Sequence, residues 1–219
     1  MKKAAVVAVF IIAGLALVAN AQSDTKYSVS ILDGAAIPVS GLWHSNALDS
    51  DGVTIDMSAK TSPAGAVAVD YKLNSSVAVG MEAGRSWAHP ISSMVEVSGG
   101  TIAIGQYTPY VKVIKQIGRL TPYGILGAGL YTVGANTIPE ISDIDGLGYG
   151  HSYGYFGFNA GLGATYALGG GLEIGLDARW HHVCSNFSTL DLTNPDMPVS
   201  QIVINNITPS LRIQYDFNL

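Results

Sequence analysis

Three groups of residues in this chain have types and spacings that could do chemistry. The first is His181, His182, Cys184, Ser185 and Asn186, followed by an acid at Asp196. A serine near a histidine with a third, acidic group outlines an activated nucleophile. On an extended strand, however, successive side chains point to opposite faces. His182 then shares its face with Cys184, and Ser185 points the other way, where its hydroxyl cannot pass a proton to that imidazole. No catalytic residue is assigned, and the chain is read as non-enzymatic. The second group is a repeated Asp-x-Asp-Gly, at Asp49-Ser50-Asp51-Gly52 and Asp143-Ile144-Asp145-Gly146. Carboxylates two apart before a glycine turn can ligate calcium, but the rest of the ligand series is missing. These segments read as solvated acidic loops, with no metal and no other cofactor expected. The third group is a set of isolated charges, Asp70, Lys72, Glu82, Lys112, Glu173, Asp177, Arg179, Arg212 and Asp216, each embedded in alternating sequence.

That alternation defines the elements that must position them. Val67, Val69, Tyr71 and Leu73 alternate with Ala66, Ala68, Asp70 and Lys72. Val77, Val79, Met81 and Ala83 alternate with Ala78, Gly80, Glu82 and Gly84. The same period of two runs through Phe156–Leu168, Leu172–His181 and Leu211–Leu219, and period two is the mark of a strand. Less regular strands are expected near Tyr27–Ile37, Pro109–Gln116 and Thr121–Val133, which makes eight. Asp33-Gly34 breaks the first as a bulge would, and the glycines of Thr121–Val133 leave its facing open. Short turns at Asn74–Ser75, Gln116–Arg119 and Gly169–Gly171 alternate with long polar segments near 40–64, 87–103, 134–152 and 185–201. Short turns on one side and long loops on the other suit a transmembrane barrel with both termini in the periplasm. Pro38, Pro109, Pro122 and Pro209 are placed at strand ends, because proline cannot donate to a closed ladder. Trp43, Trp87, Trp180 and Tyr131 are assigned to the outer lipid interface, and Tyr71, Tyr123, Tyr166 and Tyr215 to the inner one.

Composition agrees. Of 219 residues only 12% are charged and 48% are hydrophobic, and 26 are glycine. So few charges would leave a soluble domain poorly covered, and the apolar content excludes disorder. With 11 basic against 16 acidic residues there is no excess to grip nucleic acid. The one cysteine, Cys184, cannot close an internal disulfide. Lys2 and Lys3, the apolar run Ala4–Val18 and Ala19-Asn20-Ala21 read as a signal peptide over residues 1–21, cut before Gln22. Residues 22–219 then form the barrel. A secreted sandwich would need a richly charged outer face. Here the second face is mostly Gly, Ala, Ser and Thr, which suits a narrow interior.

The sequence resembles the small outer-membrane β-barrel family of the OmpA transmembrane domain, OmpX and OmpW-like proteins. The resemblance lies in Thr121-Pro122-Tyr123-Gly124, Gly127-Ala128-Gly129, Phe156–Gly163, Asp177-Ala178-Arg179-Trp180-His181 and the closing Pro209–Phe217 segment. It departs at the end, where such barrels usually finish on phenylalanine and this chain reads Phe217-Asn218-Leu219. The resemblance implies an all-β, eight-stranded antiparallel up-and-down transmembrane barrel in the bacterial outer membrane. It also implies contact with outer-membrane lipid and lipopolysaccharide, insertion by the barrel assembly machinery, and a monomer. The functional expectation is a structural or surface-interaction role carried by acidic extracellular loops. One alternative is a narrow OmpW-like channel for small or apolar solutes. Another is a lipid A deacylase, whose PagL-type barrels carry His-x-Ser-Asn where this chain has His182-Val183-Cys184-Ser185-Asn186. Inside so narrow a barrel the charges must pair. Glu82, Glu173, Asp177, Arg179, Arg212 and Asp216 are expected to form a lumen network. Arg179 and Arg212 should each meet an acid among Glu82, Glu173, Asp177 and Asp216.

Overall fold

The computed structural model describes residues 27–40, 43–48, 54–93, 101–136, 152–184 and 204–218. Eight long strands make the wall: β1 (Tyr27–Ser40), β4 (Ser62–Lys72), β5 (Val77–Ser93), β6 (Thr101–Ile114), β7 (Leu120–Asn136), β8 (Ser152–Gly169), β9 (Leu172–Cys184) and β10 (Ile204–Phe217). A hairpin of β2 (Trp43–Leu48) and β3 (Thr54–Ala59) follows β1. Each long strand pairs antiparallel with the next, β1 joins both β4 and β10, and the β5–β6 pairing completes the ring. This is the expected eight-stranded up-and-down barrel.

The ladder sets its width. Stepping across partners from Tyr27 through Tyr71, Val79, Val111, Leu126, Ala160, Trp180 and Ile207 returns to β1 at Ile37, ten residues beyond the start. Eight strands staggered by ten residues tilt by about 40° and lie about 8 Å from the axis. Such a lumen has room for side chains and little else. Ser28, Ser30, Ala68, Asp70, Ala78, Glu82, Lys112, Asp177, Arg179 and Arg212 point into it and are buried. Val67, Val69, Met81, Leu126, Leu162, Leu176 and Ile213 point out and are exposed, as a lipid-facing surface requires.

The strands outrun the sequence expectation on the side of the long connections. β5 continues to Ser93 and β6 starts at Thr101, both inside the segment expected to be loop. The segment expected as a loop over 40–64 contains β2 and β3, and β3 pairs with Ile91–Ser93 of β5. Roughly 9–11 residues suffice to cross a bilayer, so the 18 residues of β8 carry the wall well beyond it. The opposite rim is closed by tight turns, with positive φ at Gly118, Gly169, Gly170 and Gly171.

Several local expectations are corrected. Pro109 and Pro209 lie inside β6 and β10 rather than at their ends. Each stands at a gap in one ladder: β6–β7 pairing skips from Tyr107 to Tyr110, and β10–β1 pairing skips from Ser210 to Ile207. The missing N–H is accommodated by omitting those pairs. The bulge expected at Asp33-Gly34 does not occur, because both residues stay in register, and the shift comes at Pro38/Ser40. Tyr123 and Tyr131 are not interface residues. β7 turns both inward, with exposures of 5% and 1%. The lower aromatic band consists of Tyr27, Tyr71, Tyr166, Tyr215 and Phe217, with Tyr27 5.3 Å from Tyr71 and 5.9 Å from Phe217 between ring centroids. Tyr107, Phe158 and Trp180 mark the upper one. The side chains of Trp43 and Trp87, and the expected signal peptide, lie outside the described residues.

Candidate functional site

The side chains that could do chemistry converge in the lumen. At the end closed by short turns, Lys72 of β4 meets Asp216 of β10 at 2.5 Å. Gln214 donates to Asp216 at 2.8 Å and to Glu173 of β9 at 3.3 Å. The Thr165 hydroxyl donates to Glu173 at 2.5 Å. Glu173 is thus held by neutral donors.

The middle layer is built on Asp70. Lys112 lies 2.8 Å from its carboxylate and Arg212 3.4 Å. The hydroxyls of Ser28 and Tyr110 also donate to it. Arg212 donates to Ser30 at 2.9 and 3.1 Å, and to Asp177 at 3.3 Å. Tyr123 donates to Asp177 at 2.8 Å, and its ring lies under two cations, 4.6 Å from Lys112 Nζ and 5.3 Å from the Arg212 guanidinium.

Above this, Arg179 bridges two acids, Asp177 at 2.8 Å and Glu82 at 3.0 Å. Gln106 donates to the other Glu82 oxygen at 2.5 Å. Tyr131 and His181 meet at 3.1 Å beyond it. Three carboxylates, Asp70, Glu82 and Asp177, therefore face three cations, Lys112, Arg179 and Arg212, all nearly devoid of exposure. Burying a charge is costly unless it is paired and hydrogen-bonded, and each of these six is. Toward the long connections the network borders a cavity of about 40 Å³. Its apolar side is formed by Leu32, Ala36, Ala64 and Ile104, and its polar side by Glu82, Arg179, His181 and Asn206.

Glycine makes room for these groups. A Cβ at Gly161 would overlap the Arg179 side chain, and one at Gly163 would overlap the Tyr123 ring. Both glycines face inward from β8, directly opposite the residues they accommodate.

The structure brings all six sequence-assigned network residues into the lumen. Arg179 contacts Asp177 and Glu82, and Arg212 contacts Asp177. Glu173 and Asp216, also named as partners for the arginines, instead hold Gln214, Thr165 and Lys72. Arg212 uses Asp70, which was absent from that list of acids because register is not written in the sequence. Tyr110 and Tyr123 were also missed, although Tyr110 is in phase with Lys112. The histidine region divides as alternation requires: His181 points inward at 6% exposure, and His182 lies on the outer face. There His182 stacks on Trp180 and meets Asn205 at 2.6 Å. The side chain of Cys184, together with Ser185, Asn186, Asp196 and both Asp-x-Asp-Gly segments, lies outside the described residues. Among the described residues no group of three or more His, Cys, Asp or Glu could hold a metal.

Two solved structures are similar in fold. Neisserial surface protein A is 11% identical with a TM-score of 0.58, over 89% of this chain and 100% of that one. The outer membrane protein OprG from Pseudomonas aeruginosa is 12% identical with a TM-score of 0.54, over 90% of this chain and 98% of that one. At these identities the likeness shows the fold alone. No curated protein sequence matches the chain. The family profile described as "Outer membrane protein beta-barrel domain" matches residues 5–203. A closed wall with an apolar exterior, two aromatic bands and this match agree: the chain belongs to the outer membrane protein beta-barrel domain family and is an integral protein of the bacterial outer membrane.

Proposed function

We propose that this barrel is non-enzymatic and closed to solutes, and that it acts from its surface, in a structural or surface-interaction role carried by its long acidic loops. One observation carries the reading: the cross-section is occupied by the Asp70–Lys112–Arg212–Asp177–Arg179–Glu82 chain of ion pairs. In a barrel of about 8 Å radius that chain leaves no continuous path for a solute. The outward face is the contact for lipid and lipopolysaccharide, and insertion falls to the barrel assembly machinery. The loops hold Asp49, Asp51, Asp143, Asp145, Asp191 and Asp196, which suits basic or cation-bridged partners outside the cell.

The cavity beside Arg179 favours a second reading, a narrow conduit for small or apolar solutes. Liposome swelling separates the two. Vesicles holding the folded protein should swell in arabinose no faster than empty vesicles, and clearly faster swelling would favour the conduit. The deacylase alternative is met by mass spectrometry of lipid A from cells expressing the protein. The acyl pattern should be unchanged, and loss of one acyl chain would overturn the non-enzymatic reading.

A further inference from the structure

Among the described residues, the outward face carries one charge below the upper aromatic band, Asp33 on β1, and one at the level of that band, Arg85 on β5, both exposed. They lie on one hydrogen-bonded row, Asp33↔Gly65↔Arg85, with the bare Gly65 of β4 between them. Each is about 5 Å from Gly65 along the ladder. The strand tilt puts Asp33 roughly 15 Å and Arg85 roughly 20 Å above Tyr27 in the direction of the axis. That places Asp33 within the lipid-facing band, where a lone charge is costly. Among the described residues neither side chain has an ion-pair or hydrogen-bond partner.

Gly65 itself is unexplained by the barrel's own packing. A Cβ added there would meet only the Leu32 carbonyl oxygen, at an ordinary 3.6 Å. Inward glycines such as Gly161 and Gly163, by contrast, are required by the side chains they face. Of the outward positions around Gly65, Ala35, Pro63 and Ala83 are also small, while Ile31 and Val67 flank it on the side toward Tyr27. A glycine in a strand that no inward side chain demands leaves room for another backbone to approach. Small residues are what let walls approach within a membrane.

We propose that two copies of this barrel associate in the membrane through the outward face of β1, β4 and β5, about a two-fold axis passing by Gly65. In an isologous contact a patch meets itself. Opposite charges on either side of the axis residue then pair twice, Asp33 of each copy with Arg85 of the other. The small residues let the two Gly65 backbones meet. The barrel is thereby a dimer rather than the monomer expected from the family resemblance.

The test uses full-length protein in membranes. Cys184→Ser removes the native thiol, and Gly65→Cys places one on the axis. Mild oxidation should yield a disulfide-linked dimer, whereas Leu162→Cys on the far wall, 73% exposed, should stay monomeric. Adding Asp33→Arg sets like charges across the axis and should cut cross-linking at least about tenfold. The swap Asp33→Arg with Arg85→Asp should restore it. Heat-modifiable gel mobility checks that each variant is folded. Cross-linking at Gly65→Cys no greater than at Leu162→Cys would overturn the proposal without recourse to the charge variants. Failure of a folded swap variant to recover over Asp33→Arg alone would overturn the charge pairing.

Discussion

Arg212 is among the best-connected of the described lumen residues. It touches Asp70, Asp177, Ser30 and Tyr123 and is fully buried. Removing one member of a buried pair is more damaging than never having built it, because the partner charge is left in low dielectric. Arg212→Met should therefore destabilise the folded barrel by roughly 3–5 kcal/mol, read as an earlier urea midpoint by tryptophan fluorescence in lipid vesicles. Combining it with Asp177→Asn leaves two intact pairs, Asp70–Lys112 and Glu82–Arg179. The double variant should thus lose clearly less than the sum of the singles, whereas simple additivity would contradict the network. The inward facing of these charges was legible in the sequence, since alternation alone sorts Arg212, Gln214 and Asp216 from Leu211, Ile213 and Tyr215. Their partners were not. Asp70 and Arg212 are 142 residues apart, and only register brings them together.

At the scale of single strands, β8 shows why the glycines had to be read with their neighbours. Taken alone, Gly157, Gly161 and Gly163 weaken a strand. In the ladder they lie beside Tyr131, Arg179 and Tyr123, whose side chains fill the missing volume. Gly163→Val should push Tyr123 off Asp177 and cost roughly 1–3 kcal/mol, as overpacking does. Gly124→Ala, whose Cβ would meet the end of the Leu162 side chain at 3.6 Å and the Gly161 carbonyl oxygen at 4.0 Å, both ordinary contacts, should change stability by no more than about 0.5 kcal/mol. Denaturant midpoints of the two variants make the comparison, and equal losses would show that the inward glycines are not room-makers. β7 was the strand least legible in the sequence for the same reason. With glycine at 124, 127 and 129, the parity of Tyr123 and Tyr131 rests on cross-strand contacts, so they were mistaken for interface aromatics. Pro109 and Pro209 misled similarly: a ladder can drop a pair in mid-strand.

For the whole molecule, eight strands, their order and the side bearing the long connections follow from alternation, turn length and closure. The stagger of ten residues does not, because no local pattern encodes how far the last strand slides before meeting the first. That stagger fixes the radius, and the radius decides whether inward charges line a pore or fill it. The central claim is that they fill it, and planar-bilayer recording tests this most directly. Folded wild-type protein should give no steady ohmic conductance, while a variant combining Arg179→Ser, Glu82→Ser, Arg212→Ser and Asp177→Ser should show discrete openings. Stable channel steps from the wild-type protein, unchanged in that variant, would contradict the account.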